Sequence, residues 1–266
     1  MRRKQLPRKT VYYTNEETDE FSSVEITPKR IDENWRYLRR GVGWSVKRFL
    51  SYRLLAPPTA YAFCRIKLRW QVKNKRVLKE VQGKKQGYFL YGNHTQQTAD
   101  AFIPSLAVYP KSVYVIVHAN NVSMPVLGRV NAYMGALPLP DTLKAAQNFR
   151  EAVRTRYEEG NVVMIYPEAH IWPYYTGIRN FSAASFRYPA ELNAPCFCMT
   201  TVYEKRKRGK RPRAVTYLDG PFYPDPSLPR KERAQALRDA VYETMKARSA
   251  LGDCEYIRYE RKAEES

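Results

Sequence analysis

Short, continuous runs of apolar residues recur along the chain after residue 87, and amphipathic helical patterns separate several of them. Continuous runs of this length are typical of strands that are buried on both faces of a sheet. The runs cover residues 88–91, 113–117, 162–166, 196–202 and 214–218. Strands and helices that alternate in this way predict an α/β fold, a single domain in which helices flank a central, mostly parallel sheet.

Two of the helical patterns are especially clear. Apolar residues recur at helical spacing over residues 143–157, with Asp141 or Thr142 as the N-cap and Gly160 as the terminator. A final amphipathic helix is predicted near residues 234–245, after a proline-rich segment. Both helices are predicted to cover the sheet.

The N-terminal segment, residues 1–64, has a different pattern. Residues 1–29 are polar and aperiodic, which predicts a mobile arm. From Ile31 onward, Trp, Leu, Val and Phe recur at helical spacing between basic residues, and the Pro57-Pro58 pair is expected to end that helix. A basic helix with aromatic residues on its other side fits an interfacial membrane helix, and it fits equally well a helix that packs on its own domain. Both interpretations remain open at this stage.

Strict alternation of apolar and mostly basic residues follows over residues 65–73. This period of two predicts a half-buried strand with a basic outer face. We therefore place the α/β domain at residues 65–266, preceded by the basic arm and the amphipathic helical segment of residues 1–64, for which a position at the membrane surface is one of the two interpretations.

Positive charge is in large excess. The 266 residues include 46 Lys and Arg against 26 Asp and Glu, a formal net charge of +20. Such a surplus predicts an anionic partner, which can be nucleic acid, a membrane leaflet, or an acidic substrate or carrier. The densest basic run, residues 205–213, fits a solvated loop, a contact with anionic headgroups, or a grip on a nucleic-acid backbone. Nucleic acid is the least favoured partner, because RNA-binding aromatic signatures and zinc-finger spacings are missing from the sequence.

Cysteine usage and the apolar segments bear on the compartment. Four cysteines without a Cys-x-x-Cys spacing indicate buried free thiols of a reducing cytosol rather than a disulfide framework or a zinc site. The N-terminus lacks the apolar core of a signal peptide, and no stretch approaches the ~20 apolar residues of a spanning helix. We expect a cytoplasmic protein, peripheral at the inner face of the membrane.

Polar side chains with catalytic potential follow the first and third apolar runs. His94 and Asp100 come after the first, and Glu168 and His170 after the third. Ligands of open α/β sheets bind where the strands end, so both loops are candidate site loops. An imidazole that is followed closely by a carboxylate can act as a general base oriented by that carboxylate. The Asp accepts a hydrogen bond from one ring nitrogen and so fixes the tautomer, and the other ring nitrogen is free to take a proton. The alternative is a structural or solvated histidine, and His118 and His170 are open to the same two interpretations.

Other catalytic signatures do not occur in the sequence. A nucleophile elbow, a zinc-protease helix, a P-loop and a complete dinucleotide-binding glycine motif are all missing. Serine hydrolases, zinc proteases, NTPases and dinucleotide enzymes are therefore disfavoured.

Four short blocks, spread over roughly residues 65 to 220, carry a family resemblance. They are Asn93-His94 with Asp100, Gly128-Arg129 with Gly135-Ala136-Leu137-Pro138, Tyr166-Pro167-Glu168, and Ala194-Pro195 before an apolar strand. In this order the blocks resemble those of the lysophosphatidic acid (1-acyl-glycerol-3-phosphate) acyltransferase superfamily. The first and third blocks are fairly specific in combination. The resemblance implies an α/β fold with a mostly parallel sheet, an acyl thioester donor and membrane association.

The resemblance also implies roles for individual residues. His94 corresponds to the general base and Asp100 to its orienter, and Glu168 and the backbone around it help to bind the acceptor. The candidate substrate-binding residues are Asn93, Arg129, Glu168, His170 and Arg179. Neither a metal nor a cofactor is expected.

The chain departs from the family pattern in two ways. Five residues, not four, separate His94 from Asp100, which on a helix rotates the carboxylate by about 100°. The pairing therefore requires that the loop before the helix absorb the extra residue. The arginines expected in the second and third blocks are also missing, which leaves Arg129 and Arg179 as nearby cations for an acceptor phosphate.

We predict an acyltransferase of phospholipid biosynthesis. It moves a fatty acyl chain from acyl-CoA or acyl carrier protein to a hydroxyl of a lysophospholipid-like or other lipid acceptor. The alternative is a non-enzymatic basic module that binds nucleic acid or an anionic membrane, and a thioesterase that uses the same base is a third possibility. The aromatic cluster of Tyr166, Trp172, Tyr174 and Tyr175 fits an acyl tunnel, a lipid interface or core packing. The oligomeric state is left open.

Overall fold

The computed structural model describes residues 7–21, 27–83, 85–124, 127–209 and 211–262, without the side chains of Gln82, Leu127 and Arg129. Its strands are β1 (Lys9–Tyr13), β2 (Gln71–Lys73), β3 (Tyr88–Gly92), β4 (Val113–Val117), β5 (Ala136–Pro138), β6 (Val162–Ile165), β7 (Cys196–Glu204), β8 (Arg213–Phe222) and β9 (Ile257–Arg261). Its α-helices are α1 (Val42–Arg48), α2 (Ala56–Lys67), α3 (Lys79–Gln82), α4 (Ile103–Ala107), α5 (Asn120–Ser123), α6 (Leu127–Tyr133), α7 (Leu143–Glu158), α8 (Arg187–Leu192) and α9 (Arg230–Ser249).

The central sheet has the strand order β2-β8-β7-β3-β6-β4-β5 within the described residues. Every neighbouring pair is parallel except β7 with β8. In the middle, β3 pairs with β6 on one side and β7 on the other, and all five of its residues are buried. The predicted α/β fold with a mostly parallel sheet is confirmed, because apolar runs without alternation need cover on both faces.

The helix predicted at residues 143–157 is α7. It begins after Thr142, whose hydroxyl accepts a hydrogen bond from the Ala145 N–H at 3.1 Å. Its apolar face, which includes Phe149 and Val153, belongs to the core on one side of the sheet. The final helix, α9, packs its Leu237 and Val241 into the same core.

The helix in the N-terminal segment differs from the prediction. Residues 31–40 contain turns rather than helix, and α1 runs through a π-helical stretch, Phe49–Leu55, directly into α2. The expectation that Pro57-Pro58 ends the helix is wrong. Both prolines lie in the first turn of α2, where the π-helical stretch gives way to α-helix. A proline in a first turn is tolerated because the N–H groups there need no partner within the helix.

The strand predicted at residues 65–73 is also mostly wrong. Residues 65–67 complete α2, and only Gln71–Lys73 form a strand. The N–H groups of Leu68 and Trp70 both donate to the Cys64 carbonyl, and Arg69 between them has a positive φ of 47°. This helix-ending turn buries Leu68 and Trp70, so the alternation reflected a helix end and not one long strand.

The polar N-terminal arm is folded where the structure describes it. β1 pairs in parallel with β9 over five residue pairs, Lys9 with Ile257 through Tyr13 with Arg261. Residues 1–6 and 22–26 of the predicted arm lie outside the described residues. The pairing crosses the boundary that we placed at residue 64, so the start of the chain is bound to its C-terminal end. The expectation of a mobile arm is wrong for residues 7–21, because tyrosines at residues 12 and 13 supply strand-forming side chains.

None of the helices in the described ranges combines the length and the apolar character that a bilayer span requires.

Candidate active site

Two adjacent loops at one edge of the sheet contain most of the predicted site residues. The chain leaves β3 at Gly92 and enters the loop that carries His94, and it leaves β6 at Ile165 and enters the loop that carries Glu168. Because β3 and β6 are parallel neighbours, their carboxyl ends open on the same edge. A side chain at residue 92 would approach Met164 Cε to 2.6 Å, so glycine permits the close contact where the two loops begin.

His94 and Asp100 are in contact. His94 Nδ1 lies 2.8 Å from Asp100 Oδ2, which also accepts a hydrogen bond from the Gln96 N–H at 2.9 Å. The Asp100 side chain is 3% exposed and the His94 side chain 17% exposed, so the imidazole lies between a buried carboxylate and the surface. The geometry needed for a base and its orienter is present.

The extra residue between His94 and Asp100 is absorbed before the helix begins. Residues 93–96 are not helical, and Asp100 lies in a 3₁₀ turn, Ala99–Ala101, ahead of α4. The Asp100 N–H donates to the Gln96 carbonyl at 3.1 Å, which turns the chain back toward His94. The condition stated for the five-residue spacing is thereby met.

Asn93 holds the start of the His94 loop. Its side-chain amide donates to the Thr201 carbonyl at 2.9 Å and accepts from the Thr201 N–H at 2.8 Å. These two bonds continue the ladder between β3 and β7 through a side chain that is buried. The prediction that Asn93 binds substrate does not fit this placement, because its amide oxygen and one of its N–H groups are already engaged.

Tyr166 lies against His94 on the side of β6. The two rings stack with centroids 4.3 Å apart and planes 16° from parallel, and the Tyr166 hydroxyl donates to the Asp100 carbonyl at 2.6 Å. Burial raises the pKa of Tyr166 well above its usual value, which keeps the hydroxyl protonated as a donor. A single tyrosine therefore contacts both members of the pair.

Tyr203 on β7 fixes the other side of the loop. Its hydroxyl lies 2.8 Å from the Thr95 hydroxyl, and the Gln96 amide donates to it at 2.8 Å. The analysis of the sequence missed this residue, because it stands in an apolar run where only burial is predicted. Tyr203 lies three residues after Thr200 in β7, the strand beside β3. Nothing in its neighbouring sequence indicates that its hydroxyl contacts the His94 loop.

Glu168 and Arg179 form a buried ion pair behind the His94 loop. Arg179 Nη2 lies 3.3 Å from Glu168 Oε2, and the two side chains are 1% and 0% exposed. Glu168 also accepts from the His94 N–H at 3.2 Å and from the Arg179 N–H at 3.1 Å. Burial nevertheless raises the pKa of Glu168, although the Arg179 charge and these N–H groups act in the opposite direction.

This ion pair involves two residues for which acceptor binding is predicted. Glu168 and Arg179 are paired with each other inside the protein, and neither side chain reaches the surface. Arg179 also donates to the His170 carbonyl, and its guanidinium carbon lies 4.9 Å from the centre of the Trp172 ring. The cation expected to replace the missing family arginines is therefore committed to the fold, because burial without a carboxylate partner would be costly.

The remaining predicted residues make no described contact with the His94 ring. His170 Nδ1 lies 3.2 Å from Glu20 Oε2 on the folded arm, and both side chains are about a third exposed. His118 is exposed and accepts a hydrogen bond from the Asn120 N–H at 3.3 Å. Arg129 is on α6, but its side chain lies outside the described residues.

The aromatic cluster forms core packing. Trp172 is fully buried, its indole N–H donates to the Asp19 carbonyl at 2.7 Å, and its ring stacks on Tyr259 with centroids 4.9 Å apart. Tyr13 and Phe21 of the arm complete this contact. For Trp172, packing between the third block and the folded arm is the interpretation observed, whereas Tyr166 stacks on His94 and Tyr174 packs on Tyr203 and Tyr256.

The basic run and the cysteines take simple positions. The described residues of the run form the link between β7 and β8, where Lys207 and Arg208 are exposed, whereas Lys210 lies outside the described residues.

The cysteines Cys64, Cys196, Cys198 and Cys254 are all buried and unpaired. Burial raises the pKa of Cys64 to about 11, so its thiol is a protonated core group at neutral pH.

Comparison with known proteins agrees with this arrangement. A family model described as acyltransferase matches residues 69–202, which is half of the chain and includes the His94, Asp100 and Glu168 positions. Among solved structures, the chain resembles 1-acyl-sn-glycerophosphate (LPA) acyltransferase, PlsC, from Thermotoga maritima, with a TM-score of 0.52 and 14% identity over 78% of this chain and 88% of that one. No curated protein matches the sequence significantly. The predicted family resemblance is confirmed, and the chain belongs to the acyltransferase family.

Proposed function

We propose that this acyltransferase moves a fatty acyl group from acyl-CoA or acyl carrier protein to a hydroxyl of a lysophospholipid-like or other lipid acceptor. The observation that carries the proposal is the 2.8 Å contact between His94 Nδ1 and Asp100 Oδ2. It assigns Nδ1 to the carboxylate and leaves Nε2 as the ring nitrogen for an incoming hydroxyl. The family match supplies the reaction class, and donor, acceptor and residue roles are the proposed part.

The chemistry needs one proton to move twice. His94 Nε2 takes the proton of the acceptor hydroxyl while the oxygen attacks the thioester carbonyl carbon. The tetrahedral intermediate then collapses, its C–S bond breaks, and the protonated imidazole returns the proton to the leaving thiolate. Asp100 holds the imidazole in the tautomer with hydrogen on Nδ1 and stabilises the transient positive charge. Base catalysis of this kind contributes roughly 10²–10⁴-fold.

The acceptor is proposed as a lipid without a commitment to glycerol phosphate. The two arginines that the family resemblance would offer to a phosphate are replaced here, and Arg179 is bound to Glu168. An acceptor phosphate would therefore need a cation from another part of the protein. A neutral or differently charged lipid hydroxyl fits the His94 loop without that requirement.

Access to lipid is proposed through the helical segment of residues 42–67. Its outward face exposes a group of large apolar side chains: Val42, Val46, Phe49, Leu50, Leu54 and Leu55. None of the residues of α1 is buried, although basic residues flank the apolar ones. A helix packed on its own domain would bury such a face, so this pattern favours the membrane-surface interpretation. We propose that the protein works at the inner face of the membrane.

The test is release of the donor thiol in the presence of separate acceptors: lysophosphatidic acid, glycerol phosphate, an amino-acid lipid, a sugar and water alone. We expect release with at least one lipid acceptor and loss of it in His94→Ala. His118→Ala is the matched control, because it removes an exposed imidazole that bonds only to its own loop. Activity of His94→Ala close to wild type would refute the assignment, and release in water alone would indicate a thioesterase.

A further inference from the structure

A group of four arginines, of which only one has a carboxylate partner among the described residues, lies beneath α1, at the far edge of the sheet from His94. We call it the arginine pocket and define it by Arg36, Arg39, Arg48 and Arg156. Tyr114 of β4 and Leu137 of β5 form its floor, whereas His94 follows β3, two strands away. The pocket is therefore separate from the candidate active site.

The pocket contains hydrogen-bond donors that nothing in the described structure uses. Arg48 Nη2 and Arg156 Nε are buried and have no hydrogen-bond partner among the described residues. Arg48 reaches inward from α1, donates its Nη1 to the Tyr133 carbonyl at 2.7 Å, and lies over Tyr114 with Cζ 4.5 Å from the ring centre. Arg156 lies at the same 4.5 Å from that ring. Two guanidinium groups thus converge on one aromatic ring.

Compensating negative charge is scarce in the pocket. No acidic residue is among its lining side chains, and Arg36, Arg39 and Arg48 form no ion pair within the described ranges. Arg156 alone has a carboxylate, Glu159, at 2.8 Å. Burial lowers the pKa of Arg48, and the nearby Arg156 charge acts in the same direction. A group of four like charges with a single counter-charge, in which Arg48 and Arg156 each keep a buried donor atom without a partner among the described residues, is a favourable place for an anion.

The shape of the pocket suits an oxyanion with several oxygens. A small, partly open cavity of about 20 Å³ has room for one water-sized group, such as a single phosphate oxygen. It adjoins an open groove of about 470 Å³, which shares Trp35, Arg36, Arg39 and Trp44 with it. A phosphate can place one oxygen against Arg48 and Arg156 while its others meet Arg36 and Arg39, because guanidinium groups bind phosphate through paired N–H donors.

We propose that the arginine pocket binds the phosphate of an anionic lipid headgroup in the leaflet on which the 42–67 helical segment lies. This proposal rests on the membrane contact proposed above. The same helix, α1, carries Arg48 and Trp44 toward the pocket and exposes Val42 and Val46 outward. A lipid held there has its headgroup beside the arginines and its chains beside the apolar face. The pocket makes docking selective for phosphate-bearing lipids with an accessible headgroup.

The experiment is co-sedimentation of the full chain with three kinds of vesicle: phosphatidylcholine alone, and phosphatidylcholine with either phosphatidic acid or phosphatidylglycerol. Arg36→Gln with Arg39→Gln should weaken binding to phosphatidic acid vesicles by roughly 25-fold, about fivefold for each cation near the surface. Binding to phosphatidylcholine alone should not change. Arg230→Gln with Lys231→Gln is the matched control, because it removes two exposed charges from α9 and should change binding less than about twofold.

Arg48→Lys distinguishes specific binding of a phosphate in the arginine pocket from general electrostatic attraction to an anionic surface. The wild-type protein should prefer phosphatidic acid to phosphatidylglycerol, because the terminal phosphate of phosphatidic acid offers more free oxygens to paired donors. Arg48→Lys keeps the positive charge and loses the paired donors, so this preference should disappear while binding to both lipids persists. Unchanged preference in this variant and in the Arg36, Arg39 double variant would overturn the proposal. An equal loss of vesicle binding in the α9 control would also overturn the proposal, because it would show that the protein binds anionic lipid through its overall charge and not through the arginine pocket.

Tryptophan fluorescence distinguishes a lipid from a soluble anion. Trp44 lines the groove, so phosphatidic acid vesicles should change its emission, and Trp44→Phe identifies the signal. An equal change with inorganic phosphate alone would reassign the pocket to a soluble ligand. Failure of the wild-type protein to bind any vesicle would overturn the membrane contact as well, whereas binding without arginine dependence would overturn this inference alone.

Discussion

The loops around His94 and the helical segment of residues 42–67 differ in how their side chains find partners. Around His94 the charged and polar side chains pair with one another, Asn93 with Thr201, His94 with Asp100, and Glu168 with Arg179, although Asp100 Oδ1 and Arg179 Nε keep no hydrogen-bond partner among the described residues. Along α1 the large apolar side chains are exposed, and Arg48 has no carboxylate partner among the described residues.

This difference separates two tasks. A base must be held in one geometry before substrate arrives, so the protein itself fixes the loops that carry it. A surface that docks on something else keeps its apolar and cationic groups available until the partner is present. Substitutions around His94 should therefore change turnover or folding, and substitutions on the helical segment should change binding to membranes.

The largest expected effect is that of Asp100→Asn. An amide that donates to Nδ1 would leave hydrogen on Nε2, which removes the base from the side that faces the acceptor hydroxyl. We expect kcat to fall by roughly 10³–10⁴-fold, as a tautomer error does in Ser-His-Asp enzymes, while KM for the donor changes little. Steady-state kinetics over a range of pH, together with thermal unfolding, measure both properties.

The control for Asp100→Asn is Asp239→Asn, an exposed carboxylate on α9 that should have no effect on kcat. A positioning role predicts the loss in kcat at every pH with an unchanged unfolding midpoint. More than about a tenth of wild-type turnover in Asp100→Asn, or a rise in KM that accounts for the loss, would contradict it.

The second effect concerns folding. Arg179→Met leaves Glu168 buried without its cation, which typically costs about 3–5 kcal/mol in the free energy of unfolding. Burial already raises the pKa of Glu168, so the folded protein holds that proton more tightly than the unfolded chain does. The contribution of Glu168 to the free energy of unfolding is therefore fully present below its unfolded-state pKa, and it is lost as the pH rises through its folded-state pKa. Without Arg179 the folded-state pKa rises further.

Denaturant unfolding of Arg179→Met at several pH values tests this sign. The deficit relative to wild type should be smallest below pH 4.5, the ordinary value for Glu, and should grow toward neutral pH. The double variant Glu168→Gln with Arg179→Met should be more stable than Arg179→Met alone. A deficit that does not depend on pH would mean that the charge of Glu168 is not its cause.

These two predictions also show where the sequence was informative. The runs at β3 and β6 and the spacing after them were enough to place His94 and Asp100 on one sheet edge. The burial of Glu168 and Arg179 could not be predicted, because a motif position does not report which side chain reaches solvent. The contact depends on residues 11 apart that come together only when the loop after β6 folds back.

The N-terminal region was harder to predict for a different reason. β1 pairs with a strand almost at the other end of the chain, and so short a strand has no local pattern that identifies such a distant partner. Pro57 and Pro58 predict a helix end, yet they lie where the π-helical stretch gives way to α2, a position that tolerates proline as a helix start does. Local patterns identified elements with strong periodicity, and long-range pairing decided the rest.

The third prediction tests the apolar face of the helical segment. Phe49→Ser with Leu50→Ser removes two side chains that are about half exposed, so the free energy of unfolding should change by less than about 0.5 kcal/mol for each. Binding to phosphatidylcholine vesicles should weaken at least about tenfold, because each apolar side chain contributes on the order of 1 kcal/mol or more when it enters the bilayer. Vesicle co-sedimentation and turnover with water-soluble substrates measure the two properties separately.

Leu251→Ser is the control for this face, since it removes an exposed apolar side chain just after α9. It should leave vesicle binding unchanged. If the Phe49 and Leu50 variant bound vesicles as wild type does, the exposed face would have another purpose. If it lost turnover with water-soluble substrates, the two regions would not be separable.

The smallest effect is expected for Tyr166→Phe, which keeps the ring on His94 and removes only the hydroxyl bond to the Asp100 carbonyl. One lost hydrogen bond costs about 1 kcal/mol of stability, and we expect kcat to fall less than tenfold. Tyr91→Phe is a matched control, because its hydroxyl makes a similar bond to the Ser185 carbonyl away from His94. If both variants lose equal stability and only Tyr166→Phe changes kcat, the Tyr166 hydroxyl positions the 3₁₀ turn so that Asp100 can bond to His94. Equal kcat in the two variants would show that the loop keeps its geometry without this bond, and that the hydroxyl serves only the fold.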